Sequence, residues 1–147
     1  MSLQVKDVMV TNLVTIESWA TVRKAAELMN RYDIGCLIVV GDDKPIGIVT
    51  ERDMLKRVLL QLRDPRKTRI SHVMSKPLIT STSQTEVREA VRLMNERRIK
   101  KLPVVEDGRL LGLVSLTDVV RTLGYFEHVI SSLCDRCKLR KQKSGRR

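Results

Sequence analysis

Two windows of the chain carry apolar residues at helical spacing. Val22, Ala25, Ala26 and Met29 fall at i, i+3, i+4 and i+7, as do Val87, Ala90, Val91 and Met94. That spacing predicts two helices, each with one apolar stripe. Thr21 and Thr85 stand near their starts as side-chain caps. After each window comes an apolar run rich in valine, "CLIVV" from Cys36 or "LPVV" from Leu102. A polar turn follows, "GDDKP" or "EDGR", and then a second run, "IGIVT" or "LGLVS". Apolar runs flanking a short polar turn predict hairpins. Each hairpin feeds a further helix beginning near Asp53 or Asp118. A short strand, Val14–Ile16 or Leu78–Thr80, is expected before each first helix. The predicted unit is β-α-β-β-α, and it is written twice.

The duplication is visible residue by residue. At an offset of 65 positions, nineteen of the forty-nine residues from Val8 to Lys56 are identical to their counterparts, with no gap. Two copies are too few for a solenoid. A module of about 60 residues is marginal alone, and packing two together relieves that. Aromatic residues make up only 3% of the chain, so the core must come from Val, Ile, Leu, Met and Ala. The segment Gln61–Arg69, with its proline and charges, marks a linker, bounded at 63–69, between a first repeat over 3–62 and a second over 70–126. Residues 127–147 read as a helical extension and basic tail.

Each copy opens with "VM" (Val8-Met9; Val73-Met74) and closes with Gly-h-h-Thr/Ser-x-x-Asp (Gly47–Asp53; Gly112–Asp118). In this combination the chain resembles a tandem cystathionine-β-synthase (CBS) domain pair over roughly residues 3–126. The resemblance implies an α+β fold of two repeats related by a pseudo-twofold axis, their sheets packed into one Bateman module. It also implies dimerisation and adenine-nucleotide or adenosyl ligands held in clefts between the repeats. It assigns ribose contacts to Thr50 with Asp53, and to Ser115 with Asp118. A carboxylate suits that role because it accepts from both of two adjacent hydroxyls. The same Thr-x-x-Asp pattern also reads as a capping box that satisfies free N–H groups at a helix start. Both readings stand at this point. Gly47 and Gly112 are read as allowing close backbone packing in the hairpins.

The resemblance places the adenine between the first strand, with Thr15 or Thr80, and the start of the second, Ile34–Cys36 or Ile99–Lys101. Gly35 leaves room for a base, whereas Lys100 and Lys101 bring charge to the second copy. Arg52 is the first candidate for phosphates, with Arg98 and Lys100 behind it. Thr117 replaces Arg52 in the second copy. The Thr50/Asp53 site is therefore expected to be the better nucleotide site.

Charge changes the picture at one end only. Of the net +11, the last fourteen residues carry +6, seven Lys or Arg against Asp135. That tail also holds Cys134-x-x-Cys137. Half of a four-ligand zinc site is present there, to be completed only by a second subunit; a plain pair of thiols is the competing reading. The tail is read as disordered, with phosphate contact to nucleic acid as an alternative role. Val119, Leu123, Phe126, Ile130 and Leu133 form a 4-3-4-3 seam, with Gly124 weakening the helix; packing back on its own domain is the default reading, and pairing with a second subunit the sharper one. No apolar run has membrane-spanning length, and no secretory signal is visible. Three cysteines leave one unpaired, and a reduced, cytoplasmic protein is expected.

No nucleophile–base–orienter constellation stands out, and His72 and His128 lack partner motifs. The expectation is a homodimeric regulatory module, not an enzyme, requiring no cofactor. It would sense AMP, ADP or ATP and signal to a partner protein. The alternative is a nucleic-acid-associated regulator that uses the tail, with the CBS pair as scaffold. A third reading is a dimerisation module with empty clefts.

Overall fold

The computed structural model describes residues 2–124. Helix α1 spans Val22–Tyr32 and buries Val22, Ala25 and Met29 of the expected stripe, while Ala26 is exposed. Thr21 caps it, accepting from the Lys24 N–H at 3.2 Å. Strands β2 (Cys36–Gly41) and β3 (Lys44–Thr50) form the first hairpin, and β1 (Thr15–Glu17) pairs parallel to β2. In the second half α3 spans Val87–Glu96, and β4 (Lys101–Glu106) pairs antiparallel to β5 (Arg109–Ser115). Both hairpin turns have two central residues at positive φ, Asp42-Asp43 and Asp107-Gly108. Such turns match the twist of the strands they join.

Two local expectations need correction. Thr85 does not cap α3. Glu86 occupies the capping position without a side-chain bond, and the Thr85 hydroxyl accepts instead from the Thr82 N–H. The second short strand, expected at Leu78–Thr80, shrinks to one parallel bridge between Ser81 and Val104. The register is nevertheless that of the first repeat, where Ile16 pairs with Val39. The cause is local competition for N–H groups. Ser18 donates its N–H to the Val40 carbonyl, but its counterpart Ser83 donates to the Glu106 carboxylate. Side-chain acceptors thus replace the ladder in the Ser/Thr-rich copy.

The repeats exchange their opening segments. Residues Val5–Asp7 form one turn of 3-10 helix, and so do Ile70–His72, sixty-five positions on. Val10 exchanges both backbone hydrogen bonds with Leu113, and Ser75 does the same with Ile48. Val5 and Val8 accordingly sit in the core of the second repeat with Met94, Leu102, Val104 and Val114. Ile70, Val73 and Met74 sit in the core of the first with Met29, Leu37, Val39 and Val49. Each contact maps onto the other when the copies are interchanged, which is the signature of a pseudo-twofold relation. The glycines are explained by this exchange. A Cβ on Gly47 would lie 2.9 Å from the Ser75 carbonyl oxygen, and one on Gly112 would lie 3.0 Å from that of Val10. The close approach is to the swapped segment of the other repeat, not within the hairpin.

The linker is built into the first repeat. Thr68 and Pro65 carbonyls accept the Val22 and Arg23 N–H groups, two of the free donors at the start of α1. After β3, helix α2 (Glu51–Met54) continues into a π-helical turn, Leu55–Leu59. After β5, α4 runs Leu116–Thr122, and Gly124 at φ 62° follows its C-cap Leu123. Gly124 therefore stands at the end of α4 and not in the middle of a longer helix. The Phe126–Leu133 part of the seam, His128, Cys134, Cys137 and the basic tail lie outside the described residues. Val119, assigned to that seam, is buried in the second core.

Candidate functional site

A strand that ends in Thr50 delivers its hydroxyl to the start of α2, where it accepts from the Asp53 N–H at 3.2 Å. The Asp53 carboxylate returns the bond. Its Oδ2 accepts from the Thr50 N–H at 3.0 Å and from the Thr50 hydroxyl at 3.1 Å. This is a complete capping box, so the capping reading of the motif is realised. The other oxygen, Oδ1, accepts from the Ser75 hydroxyl at 3.1 Å and lies 3.8 Å from an Arg57 guanidinium nitrogen. Arg57 also donates to the carbonyls of Val73 and Met74, at 2.9 and 2.8 Å. Asp53 is 8% exposed. The exchanged segment thus meets the motif through Ser75 and Arg57, neither of which the sequence singled out. A carboxylate offers about four acceptor sites. Three are in use, and the one held by Ser75 comes from the far repeat.

The second copy is simpler. The Ser115 hydroxyl donates to Asp118 Oδ2 at 2.6 Å and accepts from the Asp118 N–H at 3.1 Å. Val10 and Thr122 stand where Ser75 and Arg57 stand in the first copy, and neither supplies those contacts.

An open cleft of about 560 Å³ joins the two halves at the first motif. From the first repeat it takes Gly35, Cys36, Ile48, Thr50, Glu51, Arg52 and Asp53; Ser75 comes from the exchanged segment. From the second it takes Arg98, Ile99, Lys100 and Lys101. The "IKK" stretch therefore faces the Thr50/Asp53 motif across one cleft. Four cations stand against two carboxylates, which favours an anionic occupant. Arg98 enters the cleft in the left-handed conformation, φ 54°, as does its counterpart Asp33 at φ 51°. Both end a helix and turn the chain into a strand, and Arg tolerates that region less readily than Asp.

Glu51 was not anticipated as part of the site. Its N–H bonds the Gly35 carbonyl at 3.0 Å, and its carboxylate lies 3.4 Å from where a Gly35 side chain would begin. Gly35 thus keeps one wall open with an acid beside it. Burial pushes the Cys36 thiol up from its ordinary value. Lys101 pulls it the other way, and Glu51 adds a smaller upward push. Cys36 is therefore a neutral lining group here.

The remaining expected residues lie elsewhere. Thr15 and Thr80 line two separate grooves on the outer faces of β1 with α1 and of its counterpart with α3. Ile34 packs against the first core. Ser115 and Asp118 lie outside the 560 Å³ cleft. Among the described residues no group of His, Cys, Asp or Glu is placed to hold a metal ion, and no helix is long and apolar enough to cross a membrane.

The family model for the CBS domain matches residues 5–60 and again 70–125. An uncharacterised protein of Methanopyrus kandleri is 36% identical over 126 residues, covering 84% of this chain and 64% of its own. The CBS domain-containing protein YhcV of Bacillus subtilis is 35% identical over 115 residues, covering 78% and 81%. The solved CBS domain pair of protein MJ0100, in complex with 5'-methylthioadenosine and S-adenosyl-L-methionine, superposes with a TM-score of 0.76 at 28% identity. That match covers 84% of this chain and 98% of the other. The chain spans 64% and 52% of the lengths of the first two curated relatives it matches.

Proposed function

This chain belongs to the CBS-domain family, and from that premise we propose that it is a regulatory module that binds an adenine nucleotide in the 560 Å³ cleft. The observation that carries the reading is the convergence of Thr50 and Asp53 with Arg52, Arg98, Lys100 and Lys101, drawn from both repeats. A ribose would take the Asp53 carboxylate, and the phosphates would lie among the four cations. Adenine would sit against Gly35, Cys36 and Ile99, where backbone groups are near. A solved relative that holds two adenosyl compounds supports the ligand class. The cation count favours AMP, ADP or ATP over a sulfonium or an uncharged thioether.

Ribose binding competes with an existing bond. To accept two hydroxyls, Asp53 releases the Ser75 hydroxyl that now occupies Oδ1. Ser75 belongs to the segment that ties the two repeats together. Ligand binding would thus loosen that tie and favour a second arrangement of the halves, which a partner protein or second subunit reads. A ligand shifts such an equilibrium only by its difference in affinity for the two states. Leu55, Leu59, Leu60 and Leu62, all exposed on and after the π turn, offer an apolar surface for a twofold homodimer.

The test is a thermal-shift and calorimetric panel of AMP, ADP, ATP, NAD and S-adenosylmethionine. An adenine nucleotide should raise the melting temperature and Ser75→Ala should bind it more tightly. If every ligand leaves the melting curve unmoved, or S-adenosylmethionine alone moves it, the nucleotide reading fails.

A further inference from the structure

A second groove, outside the cleft, has a composition the nucleotide site does not explain. It lies between β1 and α1 and encloses about 390 Å³. Ile16, Ala20 and Leu28 make its apolar floor, and Trp19, Lys24 and Arg69 stand around it. Trp19, the chain's one tryptophan, is 68% exposed. An indole left in solvent on a small domain calls for an explanation, because burial of a large ring ordinarily stabilises the fold. Its position is fixed: the Arg69 guanidinium donates to the Trp19 carbonyl at 2.8 Å, and the Ile70 N–H bonds the Ala20 carbonyl.

The second repeat supplies an internal control. The matching groove, also about 390 Å³, is lined by Thr82, Thr85, Glu89, Arg92, Leu93 and Glu96 among others. Glu89 stands where Lys24 does, and Thr85 where Ala20 does. Gln84 takes the register position of Trp19. The fold thus forms this groove twice, but an aromatic ring with cations occurs only in the first. More positive charge lies on the adjoining segments. Arg63, Arg66, Lys67 and Arg69 lie on the linker that hydrogen-bonds along the start of α1, and Arg23 and Lys24 lie in its first turn. Arg23 is paired with Glu27, Arg66 with Asp64, and Glu17 is the one acid in the lining. The N–H groups of Val22, Arg23 and Lys24 are already taken. Side-chain cations, not the helix end, therefore supply the attraction for an anion.

We propose that this groove binds single-stranded nucleic acid, with a base stacked on Trp19 and the flanking phosphates held by Lys24, Arg69 and the linker cations. An exposed ring bordered by cations matches the alternation of base and phosphate. An acidic peptide would answer the charge but leave the indole unused. Among the described residues the outer edge of β1 pairs with no strand; the Glu17 carbonyl already accepts from the Ala20 N–H, so contact with base edges would fall to the groups before it, without a fixed sequence. The site is independent of the nucleotide cleft, with which it shares no lining residue.

Trp19 gives the test a private signal, since its fluorescence reports this groove whatever the tail of residues 134–147 does. Titration of the full chain with short oligodeoxythymidine and oligouridine should quench it saturably. The affinity should fall as salt rises, as phosphate contacts require; the two oligomers separate DNA from RNA as the source. Anisotropy of labelled oligomer should show Trp19→Gln and Lys24→Glu, which copy the second repeat, binding about tenfold more weakly. Both positions are exposed, so the fold should survive. Absence of quenching by either oligomer at low salt would overturn the proposal. Unchanged affinity in both variants would do so too, as would equal quenching by polyglutamate.

Discussion

The two Thr/Ser-x-x-Asp motifs share a backbone and differ in their company. In both, the hydroxyl at the strand's end caps the following helix, and the Asp N–H donates to it. Asp53 then gathers the Thr50 N–H, the Ser75 hydroxyl and the neighbouring Arg57. Asp118 meets one hydroxyl, that of Ser115. The Thr50 N–H comes from the motif itself; Ser75 arrives on the segment exchanged between repeats, and Arg57 reaches Asp53 from the π turn after α2. Repetition of a motif therefore fixed the start of a helix twice, while the chemistry of the carboxylate was set by what the other half of the molecule delivered. A bound carboxylate is also an organised one, and its cleft is the one that collects the cations.

Replacing each aspartate by asparagine tests this difference most strongly. Asp53→Asn should weaken nucleotide binding by about 1.5–3 kcal/mol, the worth of hydrogen bonds to a charged group. It should also lower the melting temperature without ligand, because three donors now converge on that carboxylate. Asp118→Asn should do less on both counts. Titration calorimetry of each variant beside its unliganded melting curve checks the pair. Equal losses in the two variants would erase the distinction drawn between the copies. Lost stability with unchanged affinity would leave the motif as architecture only.

The glycines probe the property the halves share. Gly47→Ala and Gly112→Ala should each destabilise by about 1–3 kcal/mol, the usual cost of overpacking. In each case the new methyl meets a backbone carbonyl of the exchanged segment, which has little room to yield. Denaturant unfolding of both variants should give similar losses. A large cost at one site and none at the other would show that the exchange is not symmetric.

The smallest effect concerns Glu106, whose position in the first copy is held by Gly41. Hydrogen bonds from the Ser83 side chain and backbone hold its carboxyl below the ordinary value of 4.5. A lowered folded value means that the group stabilises the fold above 4.5, and that this contribution disappears as pH falls through the lower folded value. Glu106→Gln should therefore lower the melting temperature slightly at neutral pH and flatten its decline in acid. Calorimetric scans across that range in both proteins decide it; parallel curves would remove the role.

Much of this was present in the one-dimensional pattern. The stripes of α1 and α3, the hairpins and their Asp-rich turns, and the offset of 65 residues all depend on neighbours a few residues apart, where spacing translates directly into geometry. The capping role of Thr50 and Ser115 is equally local. Local rules failed where a side-chain acceptor took a ladder donor, at Ser83, and where one residue of register moved a cap from Thr85 to Glu86. What no spacing revealed was the exchange of the opening segments. Val10 and Ser75 pair across the molecule because each repeat, too small to close its own core, completes the other's. That exchange brought Ser75 to Asp53, and gave Arg57 the Val73 and Met74 carbonyls to which it donates. The packing of the halves set Lys100 and Lys101 opposite the first motif. Sequence wrote two nearly equal halves, and only their packing against each other made one carboxylate buried, crowded and faced by cations while leaving the other with a single partner.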